Sequence, residues 1–339
     1  MSETVVVDLD TTGWIVDPDT DAPVPHHRLR DHFATHLSPP AHATDVIVYA
    51  HGWRTPPAAA IRAARGLHDL TRERVHTAGH LYPNLAESGF EPWTVVVRWP
   101  SASRIGTTAN RRIRDRAHAM GARDGTGHAA HVLGALLGYL DTERPHPDDA
   151  PDLTTRDGHR LHLVGHSFGC RLLCEAVQWA ADTRAGDTLG RTAVPYLPSR
   201  PFTVDSALLL QMAAPHDAFA RLFANLLPTD DHDGAPLRGP IVATHSRHDR
   251  AVGFWHTRVE GRPGAGRLGI TAAPHDAFAT RMLPIDTAYP RAALDHRFVN
   301  LDATRIFRRG RHLNPAGAHS DHIRPETAHL LAALADHTR

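Results

Sequence analysis

Lysine is missing altogether from this 339-residue chain: all 37 basic residues are arginine, and 37 acidic residues balance them to a formal charge of zero. Lysine is normally among the commonest residues, and a GC-rich genome would explain its absence as codon bias. The neutral balance removes any electrostatic reason to expect nucleic acid or an anionic membrane as the main partner. Cysteine is scarce too. Cys170 and Cys174 stand four residues apart on one side of an expected helix, which suits ordinary packing and excludes a disulfide scaffold. No apolar run approaches the roughly 20 residues that span a bilayer, and the opening MSETVVVDLD has neither a basic flank nor a signal-type core. A soluble, cytoplasmic chain without stable membrane association is expected. No HExxH or cysteine-pair spacing, dinucleotide glycine fingerprint or phosphate-binding P-loop occurs, so no metal and no cofactor is expected. Neighbours such as His245 with His248, or the run Asp230-Asp231-His232-Asp233, follow from a general excess of 28 histidines.

What is present alternates. Val46 to Tyr49, Val95 to Val97, Leu161 to Val164, Ala207 to Leu210, Ile241 to Ala243 and Phe298 to Leu301 are short apolar runs without clean alternation. Strands buried on both faces of a parallel sheet read in this way. Ahead of them, Val5 to Leu9 and Trp14 to Val16 flank Asp10-Thr11-Thr12-Gly13 and predict an N-terminal hairpin. Between the strands, Thr55 before Pro56 and Pro57 is suited to cap a helix through Ile61 and Leu67. Val132 to Leu140 has helical spacing, Cys170 to Trp179 continues from a glycine-flanked serine, and Pro325 opens a last helix. The fold class expected is α/β, a mostly parallel sheet with helices on both faces. Proline- and glycine-rich tracts are too short for interdomain linkers, so one domain over 1–339 is expected, with 1–45 as hairpin and connection. The connection 254–291 is long enough to serve as a lid or substrate-facing segment. An octapeptide, AAPHDAFA, occurs at Ala213 to Ala220 and again at Ala272 to Ala279, which chance or local duplication explains.

The strongest chemical signal is Gly165-His166-Ser167-Phe168-Gly169, a G-x-S-x-G pattern between a predicted strand and a predicted helix. A strand turning abruptly into a helix forces the serine into a sparsely populated backbone conformation, and the glycines remove side chains that would collide there. Ser167 is then expected to project into solvent above the sheet; the plain alternative is a helix-capping serine. A second signal is Val46 to Tyr49 running into Ala50-His51-Gly52-Trp53. Acyl transfer needs donors for a tetrahedral oxyanion, and the N–H groups of Trp53 and Phe168 would supply two.

With these motifs the chain resembles the α/β-hydrolase superfamily from Val46 onward. It looks closest to bacterial serine hydrolases of unassigned substrate that share a His-Gly-aromatic turn and a strand ending in Trp-Pro-Ser, here Trp99-Pro100-Ser101. The resemblance implies the α/β-hydrolase fold and an acid and a histidine after the serine. Asp249, beyond the strand Ile241 to Ala243, resembles the superfamily's acid, with Asp217 after the preceding strand as its rival. For the base, the loop Asn314 to His322 lies between the last strand and the last helix. The resemblance favours His319 there, with His322 as the alternative. A serine is a poor nucleophile until a histidine takes its proton and an acid orients that histidine. The resulting expectation is a serine hydrolase, most plainly a carboxylic ester hydrolase, acting on a small-molecule acyl substrate through Ser167, His319 and Asp249. An acyltransferase or thioesterase would use the same groups, and a non-catalytic binder would keep only the fold. Arg104, Arg111, Arg112, Arg114 and Arg116 read first as a solvated helix face and second as an anion-binding loop.

Overall fold

The computed structural model describes residues 4–102, 128–142, 159–182, 203–226, 236–271, 273, 277–308 and 315–339. The arginine run from Arg104 to Arg116 and the acidic run at Asp230 lie outside the described residues. Nine strands form one sheet: β1 (Thr4–Leu9), β2 (Ile15–Val16), β3 (Asp45–Ala50), β4 (Pro92–Arg98), β5 (Arg160–His166), β6 (Ser206–Leu210), β7 (Ile241–His245), β8 (Ala277–Arg281) and β9 (Phe298–Asp302). Their order is β2-β1-β4-β3-β5-β6-β7-β9-β8. Only the β1–β2 hairpin is antiparallel, and every other pairing is parallel. The architecture is α/β, as the alternation of apolar runs and helical patterns predicts.

Five helices among the described residues have eight residues or more: α1 (Leu29–His36), α2 (Pro57–Thr77), α3 (Ala129–Thr142), α4 (Phe168–Asp182) and α5 (Pro325–His337). The sheet separates two apolar layers. Val46, Val48 and Ala50 of β3 share a core with Phe33 of α1, Leu136 of α3 and Leu172 of α4. Ile47 and Tyr49, on the other face of the same strand, pack with Leu67 of α2 and Leu331 of α5. Because alternate residues of β3 are needed on both sides, the strand reads as a continuous apolar run rather than as an alternation. Among the described residues no helix is long and apolar enough to cross a membrane.

One local expectation changes. Thr55 does not cap α2: Pro56 holds the N-cap position without a side-chain hydrogen bond. Thr55 instead exchanges hydrogen bonds of 3.3 Å with Ser101, the serine of Trp-Pro-Ser, which pins this loop to the end of β4. The connection 254–291 contains the edge strand β8, whose whole length pairs with β9. Its residues are only partly covered, so the apolar pattern that reveals a central strand is missing there. The repeated octapeptide takes two conformations: Ala218-Phe219-Ala220 is helical and Ala277-Phe278-Ala279 is strand. Phe219 is wholly buried while Phe278 is exposed, so the surroundings decide the local structure.

At the opposite end of the sheet from the loops described below, Asp45 is completely buried. Its Oδ1 accepts from His162 Nε2 at 3.0 Å, and both oxygens accept from the Arg339 guanidinium at 3.1 and 2.6 Å. Burial alone would push this carboxyl up; the His162 and Arg339 contacts outweigh it and hold it down to about 2. Breaking such a pair strands a charge. Arg339→Met is therefore expected to lower unfolding free energy by about 3 kcal/mol in urea denaturation at neutral pH. A change within a few tenths of a kcal/mol would mean that Asp45 does not depend on Arg339.

Candidate active site

The loops that follow the parallel strands at their carboxyl ends converge over the centre of the sheet, which is where open α/β sheets bind ligands. Ser167 stands between β5 and α4 with φ of 57°. This left-handed conformation is costly for a residue with a side chain, so the surroundings must hold it. They do so through backbone bonds: Ser167 N–H donates to Leu210 O at 3.0 Å, and Ser167 O accepts from Ala213 N–H at 3.1 Å. The flanking glycines are required by close approach. A Cβ at Gly165 would lie 2.5 Å from Cys170 Cα, and one at Gly169 would lie 2.1 Å from Ala50 O.

Ser167 is 2% exposed, so the expected projection into solvent is wrong. The turn after β3 covers it: a Cβ at Gly52 would come within 2.8 Å of Ser167 Cβ. His51 shapes this turn through Nδ1–H, which donates to Gly52 O at 2.9 Å. Trp99, the first residue of Trp-Pro-Ser, braces it by donating Nε1–H to His51 O at 2.7 Å. The turn therefore carries Trp53 directly beyond a glycine packed on Ser167, while Phe168 begins α4. Its N–H is one of those that a helix start leaves without an intrahelical carbonyl.

His319 Nε2 lies 2.7 Å from Ser167 Oγ, and His319 Nδ1 lies 2.7 Å from Asp249 Oδ2. Asp249 is wholly buried in the loop after β7, where its Oδ1 accepts from Val252 N–H at 3.1 Å. The two loops are tied by backbone. Asp249 and Gly317 form an antiparallel bridge, and Ala318 N–H donates to His248 O at 3.0 Å. Gly317 has φ of 64°, and a Cβ there would meet His248 O at 2.1 Å. This close crossing fixes the spacing of Asp249 and His319.

The rivals lie elsewhere. Asp217 pairs with Arg262 and Arg221 at the surface. His322 Nε2 lies 3.3 Å from Tyr49 Oη, and its ring stacks on His166 with centroids 3.6 Å apart. His166 in turn donates Nε2–H to the carbonyl of His319 at 2.8 Å. Burial, followed by the neighbouring His322 and His319, pushes the His166 pKa well below the ordinary imidazole value, and burial followed by His319 takes His322 down to about 3. Both rings are neutral at pH 7 and act as packing and as an anchor for the His319 backbone.

Sequence reasoning missed Gln211. It follows β6, is wholly buried and has φ of 49°. Its Nε2 donates to Asp249 Oδ2 at 3.0 Å and to Ala318 O at 3.2 Å, so one amide links the acid to the loop that carries His319. A polar residue ending the apolar run Ala207 to Leu210 is the signal that was available in the sequence.

No family model matches the chain, and no curated protein matches it. Among solved structures, a metagenomic carboxyl esterase aligns with 94% of this chain and 79% of its own at 12% identity, with a TM-score of 0.28.

Proposed function

We propose that the protein is a serine hydrolase of the α/β-hydrolase fold, acting on a carboxylic ester through an acyl-enzyme. The observation that carries this reading is the row of contacts Ser167 Oγ, His319 Nε2, His319 Nδ1 and Asp249 Oδ2, two links of 2.7 Å each, built on a serine with φ of 57°. His319 Nε2 takes the Ser167 proton as Oγ attacks the acyl carbon, while Asp249 accepts from Nδ1–H and stabilises the imidazolium. The same Nε2–H then protonates the leaving alcohol as the tetrahedral intermediate collapses. Water repeats the sequence in reverse to free the acid and regenerate Ser167. The N–H groups of Trp53 and Phe168 are the donors assigned to the oxyanion, since both follow turns that meet at Ser167.

A fluorophosphonate tests the nucleophile directly. Labelling followed by mass-spectrometric site identification is expected to modify Ser167, and folded Ser167→Ala is expected to lose both labelling and ester turnover. Labelling at another residue, or turnover retained by Ser167→Ala, would overturn the assignment.

A further inference from the structure

We propose a divalent transition-metal site made by Asp17, His32 and His36, distinct from the candidate active site. The three residues each offer one ligand atom, and these atoms all lie within 4.8 Å of one another. His32 and His36 are one helical turn apart on α1, so both rings stand on the same face, with centroids 4.5 Å apart. Asp17 comes from the turn that follows β2. The site thus joins the N-terminal hairpin, at the outer edge of the sheet, to the helix that covers its face.

The ligands are held before any ion arrives. Asp17 Oδ1 accepts from Asp19 N–H at 2.9 Å and Thr20 N–H at 3.0 Å, which fixes the carboxylate in its turn and commits one oxygen. The other, Oδ2, lies 3.5 Å from His32 Nδ1. That is long for a hydrogen bond between these atoms. It is close to the separation of about 3.4 Å between two ligands bound tetrahedrally at about 2.1 Å from one zinc-like ion. Phe33, 1% exposed, and buried Leu29 anchor α1 in the core, so the histidines sit on a fixed element rather than a loose loop. A proton can bridge only one pair among two imidazoles and a carboxylate, whereas a divalent cation engages all three.

Two nitrogens and one carboxylate oxygen suit zinc, cobalt, nickel or copper rather than magnesium or calcium, which prefer all-oxygen shells. Water completes a tetrahedron. With Asp17 and α1 in separate elements, the ion would cross-link the hairpin connection to the body of the fold, a structural role independent of ester hydrolysis.

Cobalt(II) titrated into the full chain provides the test, because a low-coordinate site gives ligand-field absorption that zinc abolishes by displacement. The chain's 28 histidines offer other weak sites, so the reading is the difference between proteins. The unaltered chain is expected to develop the band and to bind one equivalent more than His36→Gln or Asp17→Asn, each checked for folding by circular dichroism. Both substitutions are at partly exposed side chains, and loss of the band in either folded variant supports the site. Absence of the band in the unaltered chain, or an unchanged band and stoichiometry in both variants, overturns it.

Discussion

His319→Ala is expected to lower kcat/KM for an activated ester by about 10³-fold or more, while His322→Ala lowers it far less. The two histidines are three residues apart on one loop and both are buried, yet their surroundings differ. His319 has one nitrogen 2.7 Å from Ser167 Oγ and the other 2.7 Å from the Asp249 carboxylate. A proton leaving Oγ therefore has an acceptor in contact, and the resulting cation has a buried counter-charge. His322 has the Tyr49 hydroxyl at 3.3 Å and the face of His166, and no carboxylate hydrogen-bonds to it among the described residues. Its removal loosens the stack that supports the His319 carbonyl, an effect on position rather than on proton transfer. Asp249→Asn is expected to follow His319→Ala in size, because an amide in place of the carboxylate favours the wrong imidazole tautomer. Asp217→Asn removes a surface ion pair and is expected to leave kcat/KM nearly unchanged. Steady-state kinetics on folded variants check the series. A larger loss for His322→Ala than for His319→Ala would move the base to His322.

Acidification from pH 7 to pH 5 is expected to cost the fold several kcal/mol, read as reversible urea unfolding at a series of pH values. Burial is the leading cause that depresses three imidazoles near the site: His51 to about 4, His322 to about 3, and His166 well below its ordinary value. In the unfolded chain these residues titrate near 6.5. The sign follows from the proton count. Between about pH 6.5 and the depressed folded values, the unfolded chain binds protons that the folded chain refuses, so stability falls as pH falls. Each ring contributes at most about 2 kcal/mol at pH 5, since about 1.5 pH units separate that pH from the unfolded value. Against a total stability of about 5–15 kcal/mol, three such rings are a large fraction. His322→Phe is expected to flatten the slope while keeping a ring against His166. Stability that stays level from pH 7 to pH 5 would mean that these rings protonate without leaving the folded state.

How much was legible in the sequence depends on how far apart the interacting residues lie. The strands from Val46, Val95, Leu161, Ala207, Ile241 and Phe298 were readable because burial on both faces leaves a mark on every residue of a short run. Strand β8 was not, because its side chains are only partly covered and its partner β9 supplies the order. The identical residues Ala-Phe-Ala at 218–220 and 277–279 make the point most directly. One copy is helix beside a closed core and the other is strand at a sheet edge, so no reading of that segment alone gives both.

The sequence by itself determined the sharp turn at Ser167, since a strand running straight into a helix leaves Gly165 no room for a Cβ against Cys170, whereas the lack of room at Gly169 comes from Ala50 on β3 and belongs to the tertiary structure. It also determined that acids and histidines follow Ser167 in chain order, but it offered Asp249 with Asp217 and His319 with His322 as alternatives. Only the tertiary structure decided which histidine meets Ser167 and which acid meets that histidine. The loop after β7 and the loop before α5 cross so closely that Gly317 must lack a Cβ, and that crossing brings Asp249 against His319. Gln211 and the grouping of Asp17 with His32 and His36 belong to the same class. Their partners lie on other elements, and contacts between distant segments are set by the packing of the whole sheet and its helices rather than by local pattern.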